Sequence, residues 1–301
     1  MSSIQAIGKV KLALASRPEA SSPPLSLPRR RGRASIPLSW ALGFVLPALA
    51  LLLWEAAGRF EWVGANLLPS PSTVWDAMAS LAATGELWTH IEATFLRLAF
   101  GFFGGAAAAS VAGALTGYSV TAHRLLDPTL QALRNIPSLA WVPLFILWLG
   151  IFEASKVALI GFGVFFPVYL NLMAGIRGVD RKLVEVARVY NFSAFTLVRR
   201  VLLPATLPAY MVGLRSGLGL GWMFVIAAEF MGASEGLGFL LIDGQMTGRP
   251  QVIIGAIILF ALFGKATDLV LAAASKRVLF WQDAFDPEAK GVVDADDRER
   301  H

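Results

Sequence analysis

The chain has 301 residues, 56% of them hydrophobic and 16% charged, with a formal net charge of +5 at pH 7. A soluble domain carries about a quarter charged residues, so the composition excludes an ordinary water-soluble fold and points to a polytopic membrane protein, which the helix-length apolar stretches below make all-α. There is no cysteine, which excludes disulfides and thiolate metal sites, and three scattered histidines, His90, His123 and His301, offer no metal cluster.

In chain order, residues 1–35 are rich in Pro, Ser and Arg without helical periodicity and read as a disordered cytoplasmic tail. Arg29–Arg33 could open a signal peptide, but the apolar run Ile36–Trp54 is longer than such a segment needs and no small-residue cleavage site follows. It reads as the first uncleaved span. A bilayer core needs roughly 20 apolar residues per helix, and six stretches are predicted to cross: Ile36–Gly58, Phe95–Tyr118, Ile136–Ile151, Lys156–Ile176, Ala205–Phe230 and Val252–Ser275. Together they make one transmembrane domain over 36–280, followed by a solvated tail at 281–301. The third stretch is the shortest and holds Pro137 and Pro143, so it is expected to be broken or partly re-entrant, which is tolerated where protein surrounds it. Between the first two spans, Val74, Trp75, Met78 and Leu81 recur at helical spacing behind Ser72, a possible cap, with Asp76 in the first turn. This predicts a short helix, better read as a packing element than as a surface feature. The loops fix direction. Arg29–Arg33, Arg124 and Arg134, Arg177–Arg200 and Lys276–Arg277 fall on one side, while the opposite loops hold only Arg59, Lys156 and Arg249. The positive-inside rule then places both termini in the cytoplasm.

The most charged internal stretch is the loop at about 178–204. Asp180 can cap a helix whose Leu183, Val186, Ala187 and Tyr190 share one face. Asn191 falls where that helix should end in a left-handed residue, a place that Gly suits best and Asn next. Ser193 can cap a second helix carrying Phe195, Val198 and Leu202 on one side, with Arg199 and Arg200 near its C-terminal end. Pro204, acceptable in a first turn, would open the fifth span. Such an amphipathic knob, with Ala187 permitting close approach, suits a groove on a soluble partner. The same pattern would also serve a loop packed on its own protein or lying in the lipid headgroups.

The spacing of this loop resembles the EAA loop of ABC importer permeases: Glu-Ala-Ala, three residues, Gly, nine residues, Ile-x-Leu-Pro. Here Glu185-Val186-Ala187 is followed at the same gaps by Asn191 and by Val201-Leu202-Leu203-Pro204, with Val186, Asn191 and Val201 as departures. Segments such as "LDPTLQALRNIPSLAWVPLFILWLGIFEASK", "GIRGVDRKLVEVARVY" and "ALFGKATD" extend the likeness over about Leu67–Phe280 and resemble the nitrate/sulfonate/taurine/bicarbonate branch, its aliphatic sulfonate permeases above all. The resemblance implies a multi-pass subunit of the bacterial inner membrane that is not itself an enzyme. It also implies partners: two copies of an ATP-binding cassette subunit, which uses ATP and Mg, a periplasmic substrate-binding protein, and a second permease copy forming a homodimer. By the same resemblance, Glu185, Ala187, Asn191, Leu203 and Pro204 belong to the coupling loop that docks on the ATPase. No cofactor is implied for this chain, and the substrate is expected to be a small organic anion, an aliphatic sulfonate first, with taurine, nitrate, bicarbonate or another small compound as alternatives.

Ionisable residues inside a bilayer each need an account. Lys265 and Asp268, three apart, are expected to pair. Arg215 lies near mid-membrane among Gly213, Gly217, Gly219 and Gly221; it could line a substrate pathway and hold a sulfonate or carboxylate, or be neutralised by Glu229 or a neighbouring helix. Glu229 and Asn171 join it as candidate pathway residues, although an intramembrane Asn more often bonds a neighbouring helix. Arg97 stands near the start of the second span, and Arg134-Asn135 invite a helix-end site or a second coupling contact. A secondary transporter would also be all-helical, but it needs no docking knob and usually shows paired broken spans, which are not visible here. A membrane-embedded enzyme would need a convergent catalytic set that these charges do not make.

Overall fold

A computed structural model describes residues 38–281 apart from 61, 63 and 65; the tail expected at 1–35, and that at 281–301 beyond Trp281, lie outside the described residues. By contacts the chain divides into a unit ending at Ala50 and a second from Leu51 onward. Among the described residues the structure is helical without strands. The helices are α1 (Leu38–Arg59), α2 (Pro71–Thr84), α3 (Glu86–Tyr118), α4 (Val120–Asn135), α5 (Val142–Leu149), α6 (Glu153–Arg177), α7 (Arg181–Val189), α8 (Ala194–Leu197), α9 (Leu203–Glu229), α10 (Leu237–Met246) and α11 (Pro250–Val278). Among the described residues, four helices are long and apolar enough to cross a membrane: α3, α6, α11, and the helix that runs without a break from Phe195 through α9. The 22-residue α1 falls where the first span was expected.

The short helix expected between the first two spans is α2, and it packs against α11. Its cap is Ser70, not Ser72: Pro71 occupies the first helical position, so the residue before it accepts from the Thr73 N–H at 3.4 Å. Ser72 instead bonds Glu55 through both its N–H and its hydroxyl, which ties α2 to the end of α1. Val74 is buried, whereas Trp75 is exposed.

At the centre, α6 packs between α3 and α9. Its Leu159, Ile160, Val164, Val168 and Tyr169 are completely buried, while Phe100, Phe103, Leu147 and Val270 on neighbouring helices are widely exposed. Large exposed apolar side chains around a core that also holds Thr and Gly are what a lipid solvent favours. Small residues set the spacing. A Cβ on Gly105 would strike the backbone of Gly161, and one on Gly213 would lie 2.9 Å from the Asn171 Cβ and 3.2 Å from the Val168 Cα. Gly105 meets Gly161 and Gly117 meets Ile176, so α3 and α6 run parallel. Gly213 meets Val168 while Phe224 meets Gly163, so α9 runs antiparallel to α6.

Because α3 and α6 are parallel, the chain leaving α3 must return over the whole length of α6, about 38 Å, before α6 begins. It does so through α4 and α5, which meet at a 91° bend and together have the length and apolarity of a broken span or a re-entrant loop. The third span expected at Ile136–Ile151 is therefore not one helix. A 3₁₀ turn at Ser138–Trp141 precedes the eight residues of α5, and α4, read from sequence as a charged loop, forms the other arm. Pro137 explains the break: it has no N–H to donate and Ile136 before it is extended, with φ −74° and ψ 125°, whereas Pro143 sits in the first turn of α5, where a proline is tolerated. Tyr169 of α6 anchors α4 by donating to Asp127 at 2.8 Å.

Candidate functional site

In the charged loop, Asp180 caps α7: its Oδ1 accepts from the Lys182 N–H at 2.9 Å. The helix closes through Asn191, whose φ of 55° makes it the one described non-glycine residue with a positive φ. The Phe192 N–H bonds the Ala187 carbonyl at 3.0 Å, the six-to-one bond of a Schellman closure with Asn191 in the left-handed position. Ser193 caps the second arm, accepting from the Thr196 N–H at 3.3 Å. That arm is not a separate helix. α8 passes through a π turn at Val198–Leu202, marked by the Leu203 N–H bonding the Val198 carbonyl, straight into α9. Arg199 and Arg200 therefore sit inside a continuing helix, not at a helix end, and Pro204 lies in the first turn of α9.

Glu185 is exposed, as are Leu183, Val186, Val189 and Tyr190. Ala187 is only 3% exposed, so the close approach it permits is to its own chain and not to a partner. A groove of about 490 Å³ runs between α7 and the start of α9, lined by Leu183, Val186, Tyr190, Phe192, Val201 and Pro204 among others. Leu203, next to Pro204, opens instead on a second, apolar cavity of about 510 Å³ that reaches Ser110 and Tyr210. The structure thus joins Ala187 and Pro204 on one groove and turns Leu203 to another.

The charges in the spans fall into two groups. At one end of the bundle Glu229 is fully buried. Its Oε1 accepts from Thr94 at 2.7 Å and Arg97 at 2.9 Å, and its Oε2 from the Gly238 N–H at 2.6 Å. Arg97 also forks onto Glu153 at 2.6 and 2.9 Å and donates to the Glu235 carbonyl, while Lys156 joins Glu153 at 2.9 Å. His90 Nδ1 accepts from the Gly236 N–H, and the Thr94 hydroxyl from the Leu237 N–H. Gly236 has φ 126° and its Cβ position is filled by the Glu229 carboxylate, so only glycine fits there. This network clamps α3, α6 and α9 to the start of α10. Sequence reading found Arg97 and Glu229 singly but not Thr94, Glu153, Lys156 or Gly236 as their partners.

The second group lies deeper. Arg215 on α9 forks onto Asp268 on α11: Nε to Oδ1 at 3.0 Å, and Nη2 to Oδ1 at 2.9 Å and Oδ2 at 3.0 Å. Asp268 thus pairs across helices, not with Lys265 as expected, because a guanidinium can meet both carboxylate oxygens whereas an ammonium three residues away on the same helix meets one. Arg215 is correspondingly not neutralised by Glu229. Asn171 donates to its own helix, at the Pro167 carbonyl, 2.8 Å away.

Membrane-length helices sharing one buried core, with a capped amphipathic loop running into one of them, define a multi-pass membrane protein. The model of the family described as binding-protein-dependent transport system inner membrane component matches residues 94–280. Relatives agree. The chain is 40% identical over 247 residues, 82% of its length and 90% of the relative's, to SsuC of Bacillus subtilis (strain 168), whose name as an aliphatic sulfonates transport permease protein is provisional. It is 40% identical over 240 residues, 80% of its length and 91% of the relative's, to the protein of the same name in Escherichia coli (strain K12). It is 30% identical over 259 residues, 84% of its length and 94% of the relative's, to the taurine transport system permease protein TauC of that organism. The chain belongs to this family of permeases and is a multi-pass inner-membrane protein.

Proposed function

We propose that the chain is the membrane subunit of an ATP-driven importer for aliphatic sulfonates, working as a homodimer with two ATP-binding cassette subunits and a periplasmic binding protein. Both termini and the α7–α8 loop then face the cytoplasm, and the ATP and Mg belong to the partner. The observation that carries the reading is the loop itself: Glu185 and an apolar face of Leu183, Val186 and Tyr190 stand exposed on a helix that closes at Asn191, and the second arm beyond Ser193 runs unbroken into a membrane-length rod. The two relatives named for aliphatic sulfonates support the substrate class; taurine is the alternative that the third supports.

In this arrangement the exposed face of α7 fills a groove on the ATPase, and Glu185 and the adjacent basic residues orient it. Ala187, Asn191 and Pro204 hold the loop's shape from within, and Leu203 supports the join to α9. Closure of the ATPases on ATP displaces the loop, and the bundle, a bistable element biased by its partners, changes the side on which its pathway opens. The test is uptake of radiolabelled ethanesulfonate by proteoliposomes holding the permease, the ATPase and the binding protein. Glu185→Lys and Val186→Glu are expected to lower uptake at least tenfold and to weaken ATPase co-purification while the permease stays monodisperse. Wild-type uptake and co-purification in both variants would refute docking at this loop.

A further inference from the structure

Arg215 and Asp268 hold an unusual position. Arg215 is eleven residues beyond Pro204 and Asp268 ten before Val278, so each lies about 15 Å along its helix from that end. Both helices have the length and apolarity of membrane spans. Yet the pair is not enclosed: 46% of the Arg215 side chain and 34% of the Asp268 side chain are uncovered. The network around Arg97 shows the contrast, since there the guanidinium is 7% exposed and the carboxylate of Glu229 not at all. A charged group at the centre of a bilayer costs about 2.5–3.5 kcal/mol even on lenient scales, so the uncovered side of this pair does not belong against lipid tails.

The hydrogen bonds point the same way. Asp268 takes Nε and Nη2 of Arg215, and Nη1 makes no bond among the described residues. Lys265, one helical turn away on α11 and also exposed, forms no ion pair among the described residues. The three side chains therefore sum to one positive charge. Around Arg215 on α9 the exposed positions include Ser216 and Gly219, which leave room beside the guanidinium.

Resting on the importer reading above, we propose that Arg215, Asp268 and Lys265 form the charge-selecting station of the pathway, built for a monovalent anion. Asp268 holds the Arg215 fork in place when the station is empty. A sulfonate takes the free Nη1 donors and the Lys265 ammonium, and one substrate charge brings the local sum to zero. Direct pairing with two cations is the chemistry that a three-oxygen anionic head calls for.

The test uses the complete complex of permease, ATPase and binding protein in proteoliposomes, with Arg215→Gln, Lys265→Gln and Asp268→Asn. Radiolabelled ethanesulfonate uptake and ATP hydrolysis stimulated by the liganded binding protein are measured on the same samples. In Arg215→Gln and Lys265→Gln, uptake is expected to fall at least tenfold while stimulated hydrolysis stays within twofold of wild type. Asp268→Asn, which leaves two cations, is expected to keep uptake above both. Uptake unchanged in Lys265→Gln, or uptake and hydrolysis falling together in both cation variants, overturns the station and leaves the pair a structural one. If wild type carries no ethanesulfonate, the sulfonate reading falls by itself, and the variants are then read with nitrate or bicarbonate. A wild type that carries none of these monoanions overturns both.

Discussion

Replacing Glu229 by Gln isolates one buried carboxylate without changing its shape. Its two oxygens serve three donors: Thr94 and Arg97 on one, the Gly238 N–H on the other. Glutamine has a single acceptor oxygen. If that oxygen faces Thr94 and Arg97, its NH₂ group meets the Gly238 N–H, donor against donor; the flipped rotamer sets two donors against Arg97 and Thr94 instead. A buried donor left without a partner costs about 1–3 kcal/mol. Breaking a buried ion pair outright costs about 3–5 kcal/mol, but Arg97 keeps Glu153 and the Glu235 carbonyl, so the lower part of that range applies. We expect Glu229→Gln to lower the unfolding free energy by roughly 2–4 kcal/mol in mixed SDS–maltoside micelles, followed by tryptophan fluorescence. Glu153→Gln is the comparator. Its side chain is 59% exposed, water can take over its role, and the loss should stay near 1 kcal/mol or less. Equal stability of Glu229→Gln and wild type, or a larger loss in Glu153→Gln, would show that the network does not hold the bundle as argued.

Asn191→Gly should leave the loop intact, whereas Asn191→Val, placing a β-branched residue at φ 55°, should cost at least about 1–2 kcal/mol and open the loop to limited proteolysis; equal protease resistance of the two variants would contradict the Schellman closure. Gly105→Leu should insert into the membrane but fail to fold, because the Gly161 backbone occupies the space a side chain would need. Size-exclusion chromatography checks this, and a monodisperse Gly105→Leu protein would refute the close crossing of α3 and α6.

What could be read from residue order was whatever depends on local spacing. Asn191 carried its left-handed turn in its identity and place, and Asp180 and Ser193 their caps. Pro137 announced the break in the third stretch. α4 was hidden because Arg124, Asp127 and Arg134 made it look like a loop, when it is an amphipathic arm whose partner, Tyr169, is 42 residues further on. α10 was hidden because ten residues between Gly236 and Thr247 are too few for a span signal. Ion pairing was the least accessible property. Arg97 and Glu229 are 132 positions apart, and Arg215 and Asp268 53; sequence alone states that each charge in an apolar run needs a partner, not which one. Lys265 was assigned to Asp268 because same-helix neighbours are the only pairs that spacing reveals, and the forked bond from another helix displaced it.

The join between the loop and α9 determines what a displacement of α7 can do. Pro204 has no N–H, so the carbonyl one turn earlier would be left without its helical donor; the wide turn at Val198–Leu202 shifts the bonding register just before it, and the helix continues from Phe195 to Glu229. At 35 residues that rod is about 52 Å long, well beyond the roughly 30 Å hydrocarbon layer, so its first turns stand outside the membrane with the loop. A push on α8 is therefore carried along α9 itself. It cannot stop there, because Gly213 lies against the Val168 backbone with no space for α9 to slide freely. Nor can α11 stay behind while Trp222 holds Thr267 and packs on Phe260. Under the proposed coupling, α6 and α9 shift as one body, and Trp222 is where that body carries α11 with it.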